Sequence, residues 1–245
     1  YKALNTANLP TPTIADGSQY FDINKWDGNS TSRNIATTLS PDFVWIKGRS
    51  HATNHVVYDA IRGATQVMYI DTTSASRSQS TQLTAFNNNS FSLAAGNEVN
   101  LSGRTYVGYA WDGGTSTVTN NDGSIASQVR ANPSAGFSIV SFTASGSAGS
   151  DSCGHGLNAV PGMVIIKRRD AADNWFTWHG SFSNAQRNFI LLDSTAAVTL
   201  STNDSWGAGM TSSVIGFRSQ GTAAGNMIAY CFAPVAGYSA ALSWT

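Results

Sequence analysis

Ser40-Pro41-Asp42-Phe43-Val44-Trp45-Ile46-Lys47-Gly48-Arg49 returns 120 positions later as Val160-Pro161-Gly162-Met163-Val164-Ile165-Ile166-Lys167-Arg168-Arg169. At the same offset, His55-Val56-Val57-Tyr58-Asp59 lines up with Trp175-Phe176-Thr177-Trp178-His179. Ile70-Asp71-Thr72-Thr73-Ser74-Ala75 is matched by Leu192-Asp193-Ser194-Thr195-Ala196-Ala197. Each half closes on a similar segment, Val107-Gly108-Tyr109-Ala110-Trp111 and Ile228-Ala229-Tyr230-Cys231-Phe232. The offset drifts by a residue or two, as loop insertions make it. A repeat of about 100 residues is too long for a solenoid unit, so it reads as two tandem domains of one fold. The shared residues are mostly apolar, so the repeat speaks about architecture more than about chemistry.

Within each half, short β-branched and aromatic runs alternate with Gly, Asn and Ser clusters. That rhythm predicts an all-β chain of two tandem β-sandwiches, jelly-roll or concanavalin-like, arising from an internal duplication. Residues 1–19 read as an extended linker, 20–113 as the first sandwich and 136–236 as the second. Residues 114–135 read as a joining hairpin, with Asp122-Gly123 as its tight turn. Asp59-Ala60-Ile61-Arg62-Gly63 is expected to form one turn at most. Gly237-Tyr238-Ser239 resembles Gly136-Phe137-Ser138, so 237–245 is expected to start a further repeat or close the second. By that reading the chain is an excerpt of a longer protein.

Two strands are apolar on both faces: Phe43-Val44-Trp45-Ile46 and Met163-Val164-Ile165-Ile166. Such strands need two covers. One is the domain core, and the other is the neighbouring domain or another chain. In the last strand of each half, Gly108/Ala110 and Ala229/Cys231 keep one face small, which suggests close approach of a second backbone layer.

Charged residues make up 11% of the 245-residue chain, against roughly 25% in ordinary soluble domains, and Ser, Thr, Asn and Gly supply the polarity. Fourteen basic residues balance fourteen acidic ones. With no basic excess there is little counterion release to gain, which argues against nucleic acid as a partner. No apolar run reaches the length of a membrane span, and no secretory signal opens the chain, so membrane insertion is not expected. Two cysteines do not make a disulfide scaffold. Cys231 takes the place of Ala110 and reads as a small core residue, while a Cys153–Cys231 bridge stays open.

Asp71 and Asp193 occupy matching places, each after an apolar strand and before Thr or Ser, where a carboxylate shapes a turn. A glycosidase needs a second acid opposite, and nothing in the sequence supplies one. The four histidines lack metal-ligand spacing, and no nucleophile elbow or phosphate loop occurs. No catalytic residue, metal ligand or cofactor is therefore assigned. The remaining lead is aromatic. Trp206 beside Asp204, and Trp26 with Asp27 and Asn29, stand at loops where a flat ring edged by polar groups can receive a sugar. Their alternative role is to cap the sandwich ends.

Several segments together resemble a repeat domain of large virion structural proteins of tailed, chiefly marine, phages. They are Phe43-Val44-Trp45-Ile46-Lys47-Gly48-Arg49-Ser50, Ile61-Arg62-Gly63-Ala64-Thr65, Asp122-Gly123-Ser124-Ile125, Asn132-Pro133-Ser134-Ala135-Gly136-Phe137, Gly154-His155-Gly156-Leu157 and Met227-Ile228-Ala229-Tyr230-Cys231-Phe232. The resemblance runs from about Leu9 onward and implies an extracellular virion location, in a tail fibre or related appendage, with no active site to carry over. The expectation is a non-enzymatic structural protein, a homotrimer contacting other virion proteins and a host-surface glycan. The alternatives are a tail polysaccharide depolymerase and a purely architectural connector or decoration protein.

Overall fold

A computed structural model of the chain describes residues 12–146, 150–201, 205–207, 209–218 and 224–242. The described residues contain strands and one 3-10 turn, Gly17–Gln19, capped by the Asp16 carboxylate on the Ser18 amide. The first half carries β1 (Phe21–Asp27), β2 (Arg33–Ala36), β3 (Phe43–Gly48), β4 (Val56–Asp59), β5 (Gln66–Tyr69), β6 (Arg77–Ser78), β7 (Leu83–Asn87), β8 (Ser90–Leu93) and β9 (Thr105–Trp111). A hairpin follows, β10 (Thr117–Asn120) and β11 (Ser127–Asn132). The second half carries β12 (Phe137–Ala144), β13 (Ser150–Gly154), β14 (Met163–Arg168), β15 (Trp175–His179), β16 (Asn188–Leu191), β17 (Thr199–Leu200), β18 (Val214–Arg218) and β19 (Gly225–Phe232).

These strands build two large antiparallel sheets of one design. The six-stranded sheet has the order β1-β9-β3-β4-β5-β6, and the eight-stranded sheet contains β12-β19-β14-β15-β16-β17. Their registers correspond. Phe43 pairs with Trp111 and Asp59, and Met163 pairs with Phe232 and His179. Each large sheet is covered on one face by a small one, β2-β8-β7 in the first half and β13-β18 in the second. Alternation dictates which residues fill each sandwich. Val44, Ile46, Tyr58 and Ala110 pack with Phe91 and Leu93 in the first core. Val164, Ile166, Trp178 and Cys231 pack with Cys153, Ile215 and Phe217 in the second.

The opposite faces of the large sheets meet each other. Phe43, Val57, Met68 and Ile70 form a third core with Phe137, Ile139, Ile165, Trp175, Ile228 and Tyr230. The second cover of the doubly apolar strands is thus the neighbouring sandwich. The halves stack as four β-layers, where a duplicated chain in series would have formed a rod. Hydrogen bonds cross this seam. The Trp175 indole donates to the Tyr69 carbonyl at 2.8 Å, the Ser76 amide to the Arg169 carbonyl at 2.8 Å, and Lys167 Nζ to the Thr73 carbonyl at 3.0 Å. Arg130 Nε stands 2.7 Å from Asp42 Oδ1.

Other expectations need amendment. The hairpin expected in 114–135 is present, and it does more than join, because β11 pairs with β12 and extends the eight-stranded sheet. Its connection is longer than a tight Asp-Gly turn, since Asn120 pairs with Ser127 while the Ser124 and Ile125 amides bond to the Ser152 carbonyl on β13. The small faces of β9 and β19 point into the sandwich cores and admit side chains. A Cβ on Gly108 would come within 3.0 Å of the Trp26 ring, so glycine there lets the indole lie on the sheet. Residues 237–242 form no strand. Val235 and Ser239 close a turn, and Tyr238 packs edge-on to Tyr20 at 6.3 Å; residues 243–245, like most of the N-terminal linker, lie outside the described residues. Asp59–Gly63 does make a single turn, with Gly63 at φ +97°.

Candidate functional site

The loop tryptophans turn inward. Trp26 is 6% exposed, stacked on Tyr106 with ring centroids 5.8 Å apart and edge-on to Phe91, and its indole donates to the Val99 carbonyl at 2.9 Å. Trp206 is 3% exposed and donates to the Asn188 carbonyl at 2.8 Å. Each ring fills a different sandwich core, so neither presents a free face to a sugar and the two form no common site. This corrects their assignment as platforms. Asp27 and Asn29 are exposed beside Trp26, and Asn29 Oδ1 accepts from the Thr31 amide at 3.0 Å; Asp204 lies outside the described residues.

Several charged candidates are committed to the main chain. Asp71 and Asp193 both lie in turns, as their matching positions indicated, but their carboxylates reach across to the start of the neighbouring strand, Asp71 Oδ1 accepting from the His55 amide at 3.1 Å and Asp193 Oδ1 from the Trp175 amide at 3.0 Å. Lys47 and Lys167 are likewise equivalent, donating to the Thr53 carbonyl at 2.9 Å and the Asp173 carbonyl at 2.6 Å. Cys153 and Cys231 are free thiols buried in the second core, and burial pushes Cys231 up to about 12. Among the described residues no group of three or more His, Cys, Asp or Glu is placed to hold a metal ion.

One cross-strand row differs between the halves in its exposure. In the second half Ile139, Tyr230 and Ile165 stand side by side and are buried in the seam. The corresponding row of the first half, Ile23, Tyr109 and Trp45, is left partly open: Ile23 is 52% exposed, and both rings are half-buried. The Trp45 and Tyr109 rings meet edge-on at 6.5 Å. His55, which replaces Trp175, accepts the Trp45 indole N–H on Nδ1 at 3.0 Å. That acceptor role leaves the proton of the neutral ring on Nε2. Burial holds His55 below its ordinary pKa; the Asp71 charge opposes this and Lys47 adds to it.

The row runs on into a cleft. Tyr109 lies 6.4 Å from Trp111, and Trp111 lies 4.8 Å from Phe21. Phe21 and Trp111 then line a space of about 410 Å³ between the large sheets, with Phe137, Phe232, His179 and Tyr238 around it. On its rim His179 Nδ1 is 2.6 Å from the Ser181 hydroxyl. An aromatic strip edged by imidazoles can receive the C–H face of a sugar or an apolar side chain and hydrogen-bond its polar edge. The sequence pattern read Trp45 as part of a strand covered on both faces. The signal for an open strip was present in the exchanges Trp45 for Ile165 and His55 for Trp175, within segments that align at one offset.

A family model described as Domain of unknown function (DUF7483) matches residues 16–245, and the chain belongs to that family. No curated protein and no solved structure matches the chain.

Proposed function

We propose that this DUF7483 member is a structural component of a phage virion, part of a tail fibre or related appendage, that contributes to attachment on host-surface glycan. The observation that carries the structural part is how the buried charges are used. Asp59, Arg62, Asp42, Arg130 and Lys167 join the two sandwiches to each other. Such an arrangement serves a body that must not deform. The phage assignment draws on the resemblance of the repeated segments, and the shared strand order and Lys–carbonyl anchors support descent of both halves from one duplicated unit. The adhesive part draws on the partly open aromatic strip of the first half, whose counterpart row in the second, Ile139, Tyr230 and Ile165, is buried.

A homotrimer is part of this proposal, because three copies multiply weak glycan contacts by avidity. Light scattering at micromolar concentration tests it, and a monodisperse monomer removes it. Mass spectrometry of purified particles, with antibody labelling in the electron microscope, tests the location. Detection only in lysate and never on particles overturns the virion reading. A glycan array compares the wild-type protein with Tyr109→Ser. Binding that is unchanged by the substitution removes the strip from the adhesive surface, and binding accompanied by new reducing ends transfers the protein to the depolymerases.

A further inference from the structure

On the seam, away from the aromatic strip, lies a second space of about 320 Å³, lined by Arg62, Gln66, Ser76, Arg169, Asp170 and Asn226. Its charges divide unevenly. Arg62 is paired with Asp59, and Arg168 Nε with Asp170 Oδ1 at 2.7 Å. Arg169 has no such carboxylate among the described residues. Its main chain is fixed, the amide donating to the Asn226 carbonyl and the carbonyl accepting from the Ser76 amide, both at 2.8 Å. Its Nε, by contrast, is buried without a hydrogen-bond partner among the described residues.

A buried donor on a cation with no acceptor is costly, and natural structures rarely leave one so. A guanidinium is a rigid fork of donors that matches a carboxylate, phosphate or sulfate with two parallel bonds. The Arg62 guanidinium, paired with Asp59 and donating to the Gln66 carbonyl at 2.7 Å, lines the space from the other half of the chain and leaves Arg169 as its uncompensated cation among the described residues. The Ser76 hydroxyl and the Gln66 and Asn226 carboxamides add neutral polar groups around the space. The volume is at the small end of ligand sites, enough for one sugar-sized anion.

We propose that this cleft is an anion site, with Arg169 as its principal ligand, for a group bearing a carboxylate or tetrahedral oxyanion, such as an acidic sugar unit. It stands independently of the virion reading, since the binding chemistry needs no particular location for the protein. The test uses the whole chain at fixed ionic strength, with sodium glucuronate, sodium phosphate and sodium chloride as separate additives. Thermal unfolding and isothermal titration are followed for wild type, Arg169→Gln, Arg169→Lys and the exposed control Arg104→Gln. At about 100 times Kd a single-site ligand should raise the wild-type Tm by roughly 5–10 °C. The shift should vanish in Arg169→Gln, persist in Arg104→Gln and weaken in Arg169→Lys, which keeps the charge but not the fork. Response to glucuronate assigns the site to carboxylate sugars, and response to phosphate alone assigns it to inorganic oxyanions. Because the unliganded Tm of each variant reports its folding, a well-folded Arg169→Gln that still responds overturns the proposal. So does a wild type that responds to neither salt beyond chloride.

Discussion

Tyr230→Phe removes one oxygen from the seam and leaves the ring in place, packed 4.4 Å from Phe43 and stacked on Trp175. That oxygen donates to Asp59 Oδ2 at 2.7 Å and lies 3.4 Å from Arg62 Nη2. Asp59 belongs to β4 of the first half and Tyr230 to β19 of the second, so the bond joins the two sandwiches. A hydrogen bond to a charged group contributes about 1.5–3 kcal/mol. The substitution does not strip the carboxylate bare, since Arg62 Nε remains on the same oxygen and the Arg62 amide on the other at 2.8 Å. The loss should therefore fall in the lower part of that range, about 1.5–2 kcal/mol, equivalent to a Tm decrease of about 3–8 °C for a chain of this size.

Urea unfolding read by tryptophan fluorescence measures this directly. The midpoint should fall while the slope stays constant, since the surface exposed on unfolding is the same. Both halves should unfold in one transition, because the seam core and this lock link them. A double-mutant cycle with Asp59→Asn should return a coupling of about 0.5–3 kcal/mol. A midpoint that moves by less than about 0.3 kcal/mol refutes the lock. Two separate transitions, with only the second half displaced, refute the idea that the sandwiches share it.

Alkaline stability separates two opposing buried groups. Burial first, opposed by the Asp173 and Asp193 charges, lowers Lys167 to about 8, so above that pH the unfolded chain holds the extra proton and this residue's contribution rises with pH. Wild type measured against Lys167→Met should gain about 2–3 kcal/mol between pH 8 and 10. Cys231 has the opposite sign: its raised pKa keeps the proton in the fold, so its contribution, complete below about 8.5, declines as pH rises toward 12. Wild type measured against Cys231→Ala should lose about 2 kcal/mol by pH 10, and a flat difference in either pair contradicts the burial of that group. Both thiols should resist a disulfide reagent in the native protein at pH 8 and react fully in denaturant; rapid native labelling contradicts a closed second core. Gly108→Val should destabilise by about 1–3 kcal/mol through the clash with Trp26, and an unchanged melt shows the indole free to move.

Much of the fold is written in the sequence because alternation and repetition are local signals. Phe43-Val44-Trp45-Ile46 announced a strand covered on both faces, and the equivalence of Asp71 with Asp193 announced a turn; both stand. The stacking of the halves was not legible, since an apolar face states that it needs a cover without stating which. Trp26 and Trp206 misled for a related reason. A tryptophan beside Asp, Asn and Gly looks solvent-facing in one dimension, yet its fate depends on strands distant in sequence: Tyr106 and Phe91 for one, the Asn188 carbonyl for the other.

The asymmetry of the matched rows points to why the two halves form one body. Burying Ile139, Tyr230 and Ile165 demands a partner sheet, and the first half supplies it with Phe43, Val57 and Met68. That partnership covers only part of the six-stranded sheet. At its open side the first half keeps aromatic rings with polar edges, where the second carries aliphatic and aromatic core residues. Converting Trp45 and His55 to their counterparts, Ile and Trp, should keep the buried seam residues together, with only the half-buried packing of the Trp45 ring against them trimmed to that of an isoleucine. The polar edge of the strip should vanish with them. A doubly substituted protein that unfolds like wild type but loses the proposed glycan binding assigns that binding to the first half. Loss of stability by more than about 2 kcal/mol would instead make Trp45 and His55 part of the framework.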